Sequence, residues 1–232
     1  IQYWKGPTVL CEAQAHLGKK APRIDWAGRD TDYCTMGSSM CEYLYDTYPQ
    51  VWGENIRPIG EITPKEVIKR QATAQFVVVP SIWDVFNYTA VEAMQVGGVV
   101  ICSEGAGAAD LIEHGENGFV FPAEDALALS KLLATASHLS KKKRRAITCA
   151  AQETVQQRLA PRVIAKDRED VYRKIQGDGT HTSAPFWLAE AVTPNGKFEM
   201  PARPMAFLDE LPLREIGRYA VQRVWKKLMS SE

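Results

Sequence analysis

Residues 76–94 read FVVVPSIWDVFNYTAVEAM and join the pattern of a buried strand to that of a helix. Residues 76–79 form a continuous run of β-branched and aromatic side chains, which is typical of a strand buried on both faces of a parallel sheet. Pro80 and Ser81 end this run, and a helix is predicted over residues 90–96. This segment is therefore predicted to be a strand, a loop and a helix in succession.

The same alternation continues on both sides of this segment. Strands are predicted at 23–28, 56–59, 76–79, 99–102 and 119–121, and helices at 7–18, 40–48, 64–73, 90–96, 108–113 and 125–136. Short apolar strands that alternate with helices indicate parallel β-α units. The chain is therefore predicted to be an α/β protein with a Rossmann-like, doubly wound parallel sheet and flanking helices.

The C-terminal third has a different character. Residues 141–175 form an amphipathic stretch that Pro161 interrupts, and its basic start at 141–145 is interpreted as a solvated helical face. Residues 177–204 are rich in Gly, Pro and Thr and are predicted to be a loop-rich strap. Residues 209–229 carry apolar side chains at helical spacing. The predicted domains are therefore 1–176, Rossmann-like, and 177–232, a strap with a helical C-terminal tail.

Composition narrows the classes of function. The 28 basic and 28 acidic residues balance, which argues against nucleic acid as a partner. Five cysteines without C-x-x-C spacing are interpreted as reduced thiols in a cytoplasmic protein, and no apolar run approaches the length of a membrane span. His16 and His138 have no neighbours at metal-ligand spacing, so neither a metal nor a cofactor is predicted.

Ligands of open α/β sheets bind beyond the carboxyl ends of the strands, so the loop after residues 76–79 is the candidate site. The backbone N–H groups of Phe86, Asn87, Tyr88 and Thr89 precede or begin the next helix and would cradle a diphosphate.

Two acids, Asp84 and Glu92, bracket this cradle. A carboxylate beside a diphosphate is unfavourable unless it binds hydroxyl groups, so both are assigned to sugar hydroxyls. The alternative is that Asp84 only caps a helix and that Glu92 faces solvent.

These motifs resemble the donor site of the retaining family 4 glycosyltransferases, which have the GT-B fold. The resemblance covers residues 1–175 and includes Pro80-Ser81, an acid at Asp84, Phe86, Glu92-Ala93-Met94 and the glycine-rich run over residues 97–118. It implies that the chain is the C-terminal, nucleotide-sugar-binding half of a GT-B fold.

The resemblance also implies roles for individual residues. Lys5, in the family's Lys-Gly pair with Gly6, would contact the donor diphosphate, and a second cation of the family would fall just before Ile1. Glu92 would bind the ribose, and backbone near Ile62 would face the base. Asp84 would touch the transferred sugar, so Asp84 and Lys5 are the catalytic candidates, and residues 104–107 would lie near the same pocket.

Three positions depart from the family pattern. Asp84 replaces Glu, Asn87 replaces Gly, and Val99 replaces Pro. Asn87 matters most because Gly permits a positive φ, although Asn is the best substitute there.

The resulting hypothesis is the donor-binding domain of a hexosyltransferase-like enzyme that uses a nucleoside-diphosphate sugar such as a UDP-sugar and retains anomeric configuration. The isolated chain is expected to be inactive without a missing N-terminal Rossmann-like domain. A homodimer and a peripheral membrane association through that missing half are left open. The alternative is a catalytically silent nucleotide-sugar-binding module or scaffold, which Asn87 favours; the acid spacing disfavours an epimerase or phosphorylase.

Overall fold

A computed structural model describes residues 1–31 and 39–177. The helices are α1 (Pro7–Leu17), α2 (Met40–Thr47), α3 (Pro64–Thr73), α4 (Tyr88–Gln95), α5 (Ala126–Ser137), α6 (Lys141–Leu159) and α7 (Pro161–Gly177). The strands are β1 (Ile24–Ala27), β2 (Ile56–Gly60), β3 (Val77–Val79), β4 (Val100–Ser103) and β5 (Phe119–Phe121). Short 3₁₀ segments lie at Tyr3–Lys5, Gly18–Lys20 and Gly107–Leu111.

The strands form two parallel sheets. β1 pairs with β2, and β3, β4 and β5 pair in that order, with Val77 opposite Val100 and Ile101 opposite Phe119. In each sheet consecutive strands are added in one direction, as in one arm of a doubly wound fold. The predicted α/β architecture with parallel strands and flanking helices is confirmed.

Helix starts follow the local sequence closely. The side-chain oxygens of Thr63, Asp125 and Ser140 each accept a hydrogen bond from the backbone N–H three residues later, which satisfies one free donor of the helix that follows. α3 has the predicted bounds, with Pro64 at its first position. The predicted helix at 108–113 is instead the 3₁₀ segment Gly107–Leu111, which ends where Ile112 adopts an extended backbone with a φ of −106° and a ψ of 118°.

Two apolar clusters stabilise the sheets. In the first, α1 packs against α5, and Leu10, Leu129 and Leu133 are almost completely buried there. In the second, α4 packs against α6 through small side chains, with Ala90, Ala93 and Ala151 fully buried. Because alanine side chains are small, α4 and α6 can pack closely at this contact.

A groove of about 1350 Å³ follows the strands. It is lined by every residue of β1 and of β3, and also by Lys5, Ile62 and Asn87 near the carboxyl ends of the strands. The groove therefore extends along β1 and β3 to the candidate site.

Residues 1–166 form one compact unit, and the second unit, residues 167–232, is described only as far as residue 177. That described part is the end of α7, whose side chains over 167–176 are exposed. The predicted strap and helix at 209–229 lie outside the described residues, and the proposed domain boundary stays a prediction. Within residues 1–31 and 39–177, no helix has the length and apolar character needed to cross a membrane.

The buried face of α5 yields a stability prediction. Leu129 is 0% exposed and Leu127 is 52% exposed on the same helix. Leu129→Ala is expected to lower the free energy of unfolding by about 2 to 5 kcal/mol because it leaves a cavity. Leu127→Ala should change it by less than about 0.5 kcal/mol. Urea unfolding of both variants tests this, and equal losses would contradict the packing.

Candidate functional site

Three loops meet beyond the carboxyl ends of β3 and β4. They are residues 3–6, residues 81–87 and residues 104–107. Backbone hydrogen bonds join them: Ile82 N–H donates to the Trp4 carbonyl at 2.8 Å, and Asp84 N–H donates to the Gly105 carbonyl at 2.8 Å. Gly107 N–H donates in turn to the Asp84 carbonyl at 3.1 Å. The central loop is thus held from both sides by main-chain bonds.

Glycine at three positions makes this approach feasible. A Cβ at Gly6 would overlap the Pro80 carbonyl oxygen, and one at Gly105 or Gly107 would overlap the carbonyl oxygen of Ile82 or Val85. Gly6 also has a φ of 71°, in the left-handed region. The 104–107 loop therefore lies directly against residues 81–87, and its place beside a sugar pocket stays a prediction.

A chain of polar side chains crosses the loops. Lys5 Nζ donates to Asp84 Oδ2 at 2.5 Å, and Asn87 Nδ2 donates to the same oxygen at 2.8 Å. Asn87 Nδ2 also contacts Ser81 Oγ at 3.2 Å. The structure therefore brings together two predicted site residues that are far apart in sequence, Lys5 and Asp84, and adds Ser81, which was not predicted.

The amino end of α4 faces the same region. Asn87 has a φ of 67°, so the positive φ expected for the glycine-like position is confirmed, and its side chain does not cap the helix. Among the described residues, no acceptor binds the backbone N–H groups of Phe86, Asn87, Tyr88 and Thr89. These donors remain available to an anion at the helix start.

One buried polar residue near this helix was missed. Gln71 on α3 is 5% exposed, and its Nε2 lies 3.4 Å from the Thr89 carbonyl, where it donates a weak hydrogen bond. A glutamine within a helix of mixed polar and apolar residues carries no local signal of burial, so only the packing of α3 against α4 reveals this contact.

The predicted residues do not all face one cavity. Lys5, Ile62, Asn87 and Thr89 line the groove, whereas Gly6, Asp84, Phe86, Tyr88 and Glu92 do not. Glu92 is half-buried within α4, and Tyr88 is exposed with its ring 5.6 Å from that of Phe86. Among the described residues, no three His, Cys, Asp or Glu side chains form a group that could hold a metal ion.

Comparison with protein families identifies the family to which the chain belongs. Residues 1–154 match the family of glycosyl transferases group 1, which covers all three loops, and the chain belongs to this family. No curated protein matches the chain at a significant level.

Solved structures share the fold at low sequence identity. An Anabaena protein, HepE, solved with UDP, is 22% identical, with a TM-score of 0.63 over 75% of this chain and 46% of that one. Sucrose-phosphate synthase from Thermosynechococcus elongatus is 24% identical, with a TM-score of 0.59 over 76% of this chain and 44% of that one. A glycosyltransferase from Rickettsia africae is 20% identical, with a TM-score of 0.60 over 75% and 45%. The chain thus spans a little under half the length of these proteins.

The two buried thiols, Cys102 on β4 and Cys11 on α1, are predicted to react slowly in the folded protein. Burial, with the nearby Asp84 charge as a smaller cause, raises the pKa of Cys102 to about 12, and burial raises the pKa of Cys11 to about 12. Both thiols therefore stay protonated at pH 8, and the thiolate is the reactive form. We expect Ellman's reagent to label exposed Cys149 in the native protein, and Cys11 and Cys102 only after unfolding. Mass mapping of the labelled peptides checks this, and rapid native labelling of Cys102 would contradict it.

The close loop contact yields a second prediction. Gly115 also has a positive φ, 80°, but has open space where a Cβ would lie. Gly115→Ala should therefore cost only the backbone strain, about 1 to 2 kcal/mol of unfolding free energy. Gly6→Ala should cost at least about 1 to 3 kcal/mol more because of the overlap with Pro80. Parallel urea titrations measure the difference, and equal costs would exclude the close approach as a constraint.

Proposed function

We propose that this chain is the donor-binding part of a retaining glycosyltransferase that moves a hexose from a nucleoside-diphosphate sugar to an acceptor. The observation that carries the proposal is the position of Lys5. Its ammonium group is linked through Asp84 to Asn87, beside the backbone N–H donors at the start of α4. A cation and a helix amino end in this arrangement suit the two phosphates of such a donor.

The proposed roles of Lys5 and α4 follow from the charge that develops on the leaving group. Cleavage of the sugar–phosphate bond leaves negative charge on the departing diphosphate, and the Lys5 ammonium and the α4 amides would stabilise it there. In this proposal Glu92 binds the ribose hydroxyls and backbone at Ile62 faces the base. The Anabaena structures contain UDP or UDP-glucose, which supports a uridine nucleotide as the first donor to test.

The proposal includes a partner domain. Because the chain covers 46% of the Anabaena protein, we assign acceptor binding to a second Rossmann-like domain and donor binding to residues 1–176. The isolated chain is then expected to bind donor without completing transfer. The cytoplasmic location, a homodimer and a peripheral membrane contact through the second domain belong to the same proposal.

A catalytically silent nucleotide-sugar-binding module is the second candidate. It is favoured by Asn87 in place of glycine and by the direct pairing of Asp84 with Lys5. Release of UDP from UDP-glucose, measured on a chain that includes the second domain, would distinguish an enzyme from such a module.

The donor site can be tested by calorimetry with UDP, GDP and ADP. We expect one of these nucleotides to bind, and Glu92→Gln to weaken that binding by about 1 to 3 kcal/mol through loss of a charged hydrogen-bond acceptor. Glu116→Gln, on an exposed turn, serves as the matched control and should leave binding unchanged. Absence of heat with all three nucleotides at millimolar concentration would refute the donor site.

A further inference from the structure

The hydrogen bonds among the polar side chains of the site converge on one carboxylate oxygen. Asp84 Oδ2 accepts from Lys5 Nζ at 2.5 Å and from Asn87 Nδ2 at 2.8 Å, and Asn87 is held in turn by Ser81, which is 1% exposed. The Asp84 side chain is 15% exposed and that of Lys5 is 37% exposed. This ion pair is therefore shielded on the acid side and accessible on the lysine side.

The orientation of the Asn87 side chain leaves one buried polar atom unsatisfied, and the bond to the Asp84 carboxylate explains why this orientation is kept. Its Oδ1 is buried and has no hydrogen-bond partner among the described residues, whereas its amide nitrogen is directed at Asp84 and Ser81. An unsatisfied buried acceptor is unfavourable, so a strong bond must offset it. A charge-assisted bond to Asp84 is of that kind, because hydrogen bonds to ionised groups are stronger than neutral ones.

The backbone of Asn87 directs the side chain toward Asp84. At a φ of 67° and a ψ of 87°, this residue directly precedes α4, and its side chain does not cap the helix, which leaves the amide free to reach back three residues. A glycine at this position would adopt the same backbone but could not hold the carboxylate. Asn87 is therefore suited to positioning Asp84, and Asp84 to holding Lys5.

We propose that Asp84 is an internal counter-ion that competes with the donor diphosphate for Lys5, and that Asn87 is the positioning residue that keeps Asp84 in that role. This inference rests on the proposed donor site. A bound diphosphate must draw the ammonium group away from Asp84 or share it, and it also meets the repulsion of the carboxylate. The Asp84–Lys5 contact therefore lowers the affinity for the diphosphate group and leaves recognition of the nucleoside unaffected.

The competition predicts an unusual result for Asp84→Asn. Removing one negative charge and releasing Lys5 should tighten UDP binding by about 3- to 30-fold, a range that includes the roughly 5-fold effect of one unit charge at about 4 Å in water-like surroundings. Uridine, which lacks phosphates, should bind equally to both proteins. A purely structural role for Asp84 would change the affinities for UDP and uridine together.

Three further variants isolate the contact in the same calorimetric titrations. Lys5→Met should weaken UDP binding, and in the double variant Lys5→Met/Asp84→Asn much of the gain from Asp84→Asn should disappear. Asn87→Gly should tighten UDP binding less than Asp84→Asn does, because the charge stays but loses its support. Glu116→Gln, which also removes one negative charge, should have no effect.

A measurement without nucleotide separates this inference from the donor-site proposal. Brief acetylation with acetic anhydride, quantified by mass spectrometry, should modify Lys5 faster in Asp84→Asn and in Asn87→Gly than in the wild type, with exposed Lys141 as the internal reference. Faster Lys5 modification, without binding of UDP, GDP or ADP by any variant, would support the counter-ion contact and refute the donor site. Unchanged Lys5 modification, or weaker UDP binding by Asp84→Asn, would overturn the inference.

Discussion

Main-chain contact among the three loops is the constraint on which the site depends. Residues 81–87 are bonded to the Trp4 carbonyl on one side and to the backbone of Gly105 and Gly107 on the other. These bonds require the backbones of the loops to lie as close together as neighbouring strands of a sheet. At such distances there is no space for a Cβ at Gly6, Gly105 or Gly107. The three glycines thus place the Lys5 ammonium group beside the Asp84 carboxylate.

Packing beneath the loops supplies the other fixed point. α4 packs against α6 through fully buried alanines, and its first turn also accepts a weak hydrogen bond from Gln71 on α3. The amino end of α4 is therefore set by helix packing, whereas Lys5 is set by loop contacts. The site therefore combines backbone N–H donors, positioned by helix packing, with one ammonium group on a long and partly exposed side chain. This division agrees with a ligand that must be both bound and released.

Local sequence patterns predicted most elements but not the links between them. The bounds of α3 follow from Thr63 and Pro64. The positive φ of Asn87 agrees with the glycine that the family pattern has at this position. The Lys5–Asp84 pair joins residues 79 positions apart, so it emerges only when the two loops meet. Ser81 and Gln71 were missed for a related reason, because the burial of a polar side chain is decided by tertiary packing. The assignment of Asp84 to sugar hydroxyls was made without this ion pair and stays a prediction.

A loop held by its main chain has an evolutionary consequence. The bonds that fix residues 81–87 involve backbone groups, while the side chains of Trp83 and Val85 in this loop and of Tyr88 at the start of α4 are 66%, 77% and 74% exposed. Mutations at these three positions alter the surface beside the site without altering the path of the chain. Selection can therefore change what that surface contacts while the glycines and the ion pair stay under strict constraint. Divergence among homologues should accordingly be concentrated in these exposed side chains.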